Sequence, residues 1–152
     1  MAEVFGSNSF NLLPHLVALA VAYALAIPIG WNREREARSA GLRTFPLVAV
    51  AACGFIQASE SMLAEHPEAL ARVLEGLITG MGFIGGGAIL RMKESVKGTA
   101  TAASLWATGA MGTAVGLGSY DVAIVLALAT MVTLWLLSPF KADIAGEDRA
   151  ED

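Results

Sequence analysis

Gly80, Gly82 and Gly85 reproduce the spacing G-x-G-x-x-G, with which a backbone loop cradles a dinucleotide pyrophosphate. That chemistry needs a strand before the loop, a helix after it, and an acid about 20 residues on. The preceding residues, ALARVLEGLIT, are helix formers, and the next acid, Glu94, comes too soon and in a basic loop. The match is accidental. A different chemistry suits the glycines better. Gly76/Gly80, Gly82/Gly86 and Gly112/Gly116 are each spaced by four, the interval that lets helix backbones touch where lipid supplies no hydrophobic drive. Helical periodicity puts Glu75, Thr79, Gly82 and Gly86 on one face, with Gly76 and Gly80 beside it. The expectation is that this segment occupies the most crowded position of a helix bundle. The run Gly85–Gly86–Gly87 keeps a second reading open, a bent or partly unwound stretch lining a polar pathway.

The acids raise a second possibility. Cys53, Gln57 and Glu60 fall on one face of their helix. If that face meets the Glu75–Thr79 face, oxygen ligands converge near the outer boundary, in a form that suits a hydrated Mg²⁺. The other readings are that these acids are interfacial charges in contact with water, or that Glu75 simply pairs with Arg72. At the opposite boundary lie Arg33, Glu34, Arg35, Arg43, Arg91 and Lys97. Thr44 and Thr101 read as helix N-caps there. Two helix N-termini beside arginine would form an anion or partner site, unless the cations only set topology. The alternation REREAR suggests that Glu34 and Glu36 pair with arginines to hold a turn. Thr101, Ser104 and Thr108 share one helix face, either bonded to their own helix carbonyls or lining a polar path.

Other chemistries lack their residues. The chain has no HExxH, GxSxG or GK[ST], and Cys53 is its single cysteine. Neither an enzyme nor a nucleic-acid partner is expected, and no cofactor beyond Mg²⁺ as a ligand.

The elements that must position these groups follow from composition. Hydrophobic residues are 55% of the 152 and charged residues 16%, against roughly 25% charged in soluble domains. Mean hydropathy is +0.59. About 20 apolar residues cross a bilayer as a helix. Five segments suit that length: about 10–30, 44–63, 70–90, 100–117 and 122–140. They make residues 1–140 an all-α transmembrane bundle and leave 141–152 as a short polar tail. Nine of the ten basic residues fall on one side of this arrangement, leaving Arg72 opposite. That side is cytoplasmic, with the N-terminus outside. The N-terminus lacks a basic signal region, so the first segment is expected to remain as a membrane helix. Two turns echo each other, with Gly41/Thr44 in one and Gly98/Thr101 in the other. A repeat of helix pairs is one account of them. Spare small-residue faces suggest a homo-oligomer in the bilayer, a dimer first.

The stretches GWNREREARSAGLRTFPLV and GMGFIGGGAILRMKESVKGTATAASLWATGAMG resemble the MgtC/SapB family of bacterial inner-membrane proteins. The resemblance runs from about Ile29 to Gly118. Its motif positions are Arg33, Glu34, Gly41, Leu42, Arg43, Thr44, Gly80, Gly82, Gly85, Gly87, Arg91, Gly98, Thr101, Ser104 and Trp106. It implies five spans, a role linked to magnesium homeostasis, and a larger membrane complex such as ATP synthase as partner. It also implies that a C-terminal cytoplasmic domain carried by the best-known member is missing from this sequence. The function expected is a non-catalytic membrane regulator, with an oligomeric Mg²⁺-like cation transporter or channel as the alternative.

Overall fold

The computed structural model describes residues 12–37, 40–60, 66, 68–92 and 95–137. Five helices appear among them: α1 (Leu12–Ala37), α2 (Thr44–Ala58), α3 (Ala69–Gly87), α4 (Thr99–Gly116) and α5 (Tyr120–Leu136). Each falls on one expected segment with shifted ends. The start of the first segment, the end of the second and the end of the fifth reach outside the described residues, as does the tail.

Two differences in length have physical causes. The first helix runs on past Gly30 through the charged Asn32–Glu36 stretch. Its polar face there is tied by side-chain bonds, described below. The third helix stops at Gly87, short of Leu90. The amide of Ala88 donates to both Ile84 and Gly85, and Ile89 donates to Gly86. These shared and shortened bonds end a helix whose last three residues are poor helix formers. The Gly85–Gly87 run is therefore helical and closes α3. A two-stranded antiparallel hairpin follows, β1 (Leu90–Met92) and β2 (Ser95–Lys97), where only a short connection was expected.

The bundle centres on α4, which touches all four other helices. Its core is built from small side chains at intervals of four. Ala18, Ala22 and Ala26 of α1 are buried, as are Ala49 and Cys53 of α2 and Ala123 and Ala127 of α5. Leu105, Met111 and Val115 of α4 fill the centre between them. Backbones approach closely because alanine and glycine leave nothing in the way.

The expectation that the third helix is the most crowded is overturned. Met81 and Gly85 are its only buried residues. It leans on α4 and barely meets α2. The crowded helix is α4, with ten buried residues. A spacing of four shows that a face permits close approach, but not which helix uses it.

Two helices, Leu12–Glu36 and Ala69–Gly87, are long and apolar enough to cross a membrane. The helices Thr44–Ala58 and Tyr120–Leu136 are apolar but shorter. The outer surface of the bundle is apolar, with Phe83 85% exposed, Trp135 75% and Leu47 64%. Soluble monomers rarely show so much.

Candidate functional site

The basic end is organised by carboxylates. Glu34 reaches across the α1–α2 turn, and its Oε2 accepts the Leu42 amide at 3.1 Å. Gly41 makes room for it, since a Cβ at that position would overlap the Glu34 carboxylate. On its other side Gly41 meets Gly30, where a Cβ would lie 3.1 Å from the Gly41 carbonyl oxygen. The Gly41 carbonyl then accepts the amides of Thr44 and Phe45 at 2.9 and 3.0 Å. Of the two acids expected to pair with arginines, Glu36 does so, with Arg33, whereas Glu34 bonds the backbone instead. Arg33, only 5% exposed, also donates to the Asn32 side chain through Nε and Nη2. Arg35 lies outward over the Trp31 ring at 5.2 Å, a cation–π contact.

This geometry corrects the anion site expected at Thr44. Arg43, not Thr44, occupies the N-cap position of α2, and its side chain makes no capping bond. The Thr44 and Phe45 amides are already taken by Gly41, and Pro46 has no amide to offer. The helix end therefore has little left for an anion. What remains is the exposed Arg43 guanidinium.

Thr101 is also not a cap. Helix α4 starts at Thr99 after Gly98, whose φ of +91° is left-handed. A Cβ there would overlap the Ala88 carbonyl, so both conformation and space require glycine. Thr101 sits inside the helix, and its Oγ1 is the one buried side-chain polar atom without a partner among the described residues. Ser104 and Thr108 bond the carbonyls of their own helix, at 2.7 Å to Ala100 and 2.8 Å to Ser104. The two turns of the suspected repeat thus differ. Thr44 opens its helix, whereas Thr101 is the third residue of α4. Lys97 is exposed on β2, and the Arg91 side chain lies outside the described residues.

The glycines divide into two groups. A Cβ on Gly112 would overlap the Ala49 carbonyl of α2, and one on Gly116 would lie 2.8 Å from Ile56 Cβ. A Cβ on Gly85 would meet the Ala102 carbonyl at 3.4 Å. These three pack within the chain. Gly76, Gly80, Gly82, Gly86 and Gly87 have no atom within 4 Å of a built Cβ. Their expected packing role finds no partner inside this chain. Gly76 and Gly80 line an apolar cleft of about 820 Å³ between α2 and α3. Gly82 and Gly86 point elsewhere, on an exposed face that includes Glu75, Thr79 and Phe83.

At the opposite end the acids separate. Gln57 and Glu60 line a pocket of about 500 Å³ with His15 and Tyr120. Gln57 Nε2 donates to the His15 carbonyl at 3.5 Å. Glu75 and Thr79 are exposed on α3 and do not line that pocket. The proposed four-residue cation constellation is not assembled, because α3 stands away from α2. Among the described residues, no group of three or more His, Cys, Asp or Glu is placed to hold a metal ion.

A family model described as the MgtC family matches residues 19–142. The chain belongs to the MgtC family. It is similar to a protein named MgtC from Salmonella typhimurium (strain LT2), 36% identical over 123 residues. That match covers 81% of this chain and 51% of the relative. A protein named MgtC from Brucella abortus (strain 2308) is 38% identical over 128 residues, 84% of this chain and 53% of the relative. Protein SrpB of Synechococcus elongatus is 36% identical over 135 residues, covering 81% and 72%. The chain spans about half the length of the MgtC proteins it matches. No solved structure matches it.

The MgtC match gives the motif residues a common sense. Glu34, Gly41 and Leu42 form one interlocked turn, and Gly98 holds the next turn on the same side. Sequence reasoning missed the alanine seam of α1, although Ala18, Ala22 and Ala26 carry the same interval of four as the glycines. It also missed the tight α4–α5 corner. There Gly118, with φ +76°, donates to Val115 at 3.0 Å and Ser119 donates to Ala114 at 2.9 Å. That is a Schellman ending, foreshadowed by glycine just past an apolar helix. With its apolar exterior and two bilayer-length helices, this MgtC-family chain has the character of a membrane protein.

Proposed function

We propose that this MgtC-family chain is a five-span, non-catalytic protein of the bacterial inner membrane. It regulates a larger membrane complex or ion homeostasis, linked to magnesium by the family resemblance, through helix contacts inside the bilayer. The observation that carries the reading is the open face of α3. The bundle uses close small-residue packing everywhere around α4, yet Gly82 and Gly86 of α3 stand bare beside a Phe83 that is 85% exposed. A helix face without side chains in lipid invites another helix. A second copy of the chain is the first occupant in this reading, and a larger complex such as ATP synthase the second.

Five spans follow if α2, α4 and α5 cross together with α1 and α3. Helices α2 and α5 are 15 and 17 residues long, about 22 and 25 Å, so they cross with little or no tilt. Helix α4 is the most enclosed of the five, with Trp106 on its exposed side, which accounts for its threonine and glycine content. Reporter fusions test the topology. Fusions after Lys97 should report cytoplasm and fusions after Ser119 the exterior, and the same side for both sinks the five-span reading.

The function is tested by complementation of a strain that lacks its own family member and grows under magnesium limitation. The double variant Gly82→Leu/Gly86→Leu should accumulate normally, since both positions have open space. It should also lose rescue and lose co-purification of differently tagged copies. Full rescue by that variant overturns the proposal.

A further inference from the structure

The cleft between α2 and α3 has features that the packing of this chain does not use. It runs from Arg43 and Thr44 at the basic end to Ser59 and Arg72 at the other. That is about 24 Å along α2 at 1.5 Å per residue, most of the roughly 30 Å hydrocarbon core. Between its ends the lining is almost wholly apolar, with Leu47, Phe55, Leu77 and Ile84 on the walls. No acid lines it. A continuous apolar lining of that length suits extended hydrocarbon chains.

Arg43 lies at the basic end and lines the mouth of the cleft with its side chain exposed; among the described residues no carboxylate forms a salt bridge with it. A guanidinium at the mouth of an apolar slot binds a phosphate carried on acyl chains.

We infer that the α2–α3 cleft is a binding site for an anionic glycerophospholipid of the cytoplasmic leaflet. Its phosphate sits on Arg43, and its acyl chains run between Phe55 and the bare backbone at Gly76 and Gly80. The two glycines keep the slot open. Because the Gly82–Gly86 face lies outside the cleft, lipid and a second copy of the chain occupy different surfaces.

The experiment uses the whole chain in detergent, titrated with phosphatidylglycerol or phosphatidylcholine of matched acyl chains, with bound lipid counted by native mass spectrometry. Glycerol phosphate serves as the headgroup alone. Phosphatidylglycerol should bind at least tenfold tighter than phosphatidylcholine, and glycerol phosphate should not compete. Arg43→Gln should erase the preference while leaving binding of both lipids. Gly80→Leu has open space for its side chain and should fill the slot, reducing both. Arg35→Gln, which alters the same basic end outside the cleft, should change nothing.

Equal affinity for the two lipids overturns the inference. So does competition by glycerol phosphate, or an Arg35→Gln effect as large as that of Arg43→Gln. Lipid binding unchanged by Gly80→Leu, accompanied by loss of a dimer, would assign the cleft to a second copy and also overturn it. The inference rests on the membrane topology proposed above. A failure of that topology would appear in the reporter fusions, whatever the lipids show.

Discussion

Gly112→Ala should lower the stability of the bundle by about 1–3 kcal/mol, the usual cost of forcing one methyl into a filled core. The new Cβ would overlap the carbonyl oxygen of Ala49 and lie 2.8 Å from its carbonyl carbon and 2.9 Å from its Cα. These are backbone atoms of a packed helix. They have no rotamer to change, so α2 and α4 must separate. Ala49 is fully buried, and the α2–α4 contact is the most extensive in the fold. Gly112→Leu should prevent the chain from accumulating at all. The control is Gly82→Ala, with the same chemistry on an open face. It should be neutral or gain up to about 1 kcal/mol, because alanine is the better helix former. Thermal unfolding in detergent separates the two, with a melting point several degrees lower expected only for Gly112→Ala. Equal melting points for the two alanine variants would mean that α2 and α4 do not touch at Gly112.

The second large effect concerns the α1–α2 turn. The Glu34 carboxylate accepts the Leu42 amide in space that exists only because residue 41 has no side chain. Glu34→Ala removes a bond to a charged acceptor at a solvent-exposed turn, worth about 1 kcal/mol. Gly41→Ala should cost more. It displaces the same carboxylate and sets a Cβ 2.7 Å from Glu34 Cβ, so the α1–α2 turn must shift. The two losses overlap. Once alanine at 41 has expelled the carboxylate, deleting it costs little more, so the double variant should be milder than the sum by about 1 kcal/mol. Such coupling is the signature of direct contact. Strict additivity in a double-mutant cycle would show that Glu34 does not hold this turn.

The first prediction turns on glycines that look alike in sequence. Gly82/Gly86 and Gly112/Gly116 share the same spacing and apolar surroundings. One pair is bare and the other is wedged against α2. Spacing reports what a helix face permits, and the long-range arrangement decides whether that permission is used. The same reasoning explains the acids. Gln57–Glu60 and Glu75–Thr79 each share a face as expected, but the faces meet only if α2 and α3 are neighbours. The cleft keeps them apart.

The sequence by itself determined the helical segments, the concentration of basic residues at one end and the family, because these are local properties of composition, periodicity and motif order. It also indicated that the acids of REREAR are engaged, but Glu36 pairs with Arg33 within α1 and Glu34 holds the turn through the Leu42 amide rather than through an arginine. Only the tertiary structure decided which helix is central, which glycines are enclosed, that Thr44 and Thr101 cap nothing, and that a slot separates α2 from α3. Each depends on the placement of residues far apart in the chain. Small side chains specify such placement weakly, because they fit many neighbours equally well.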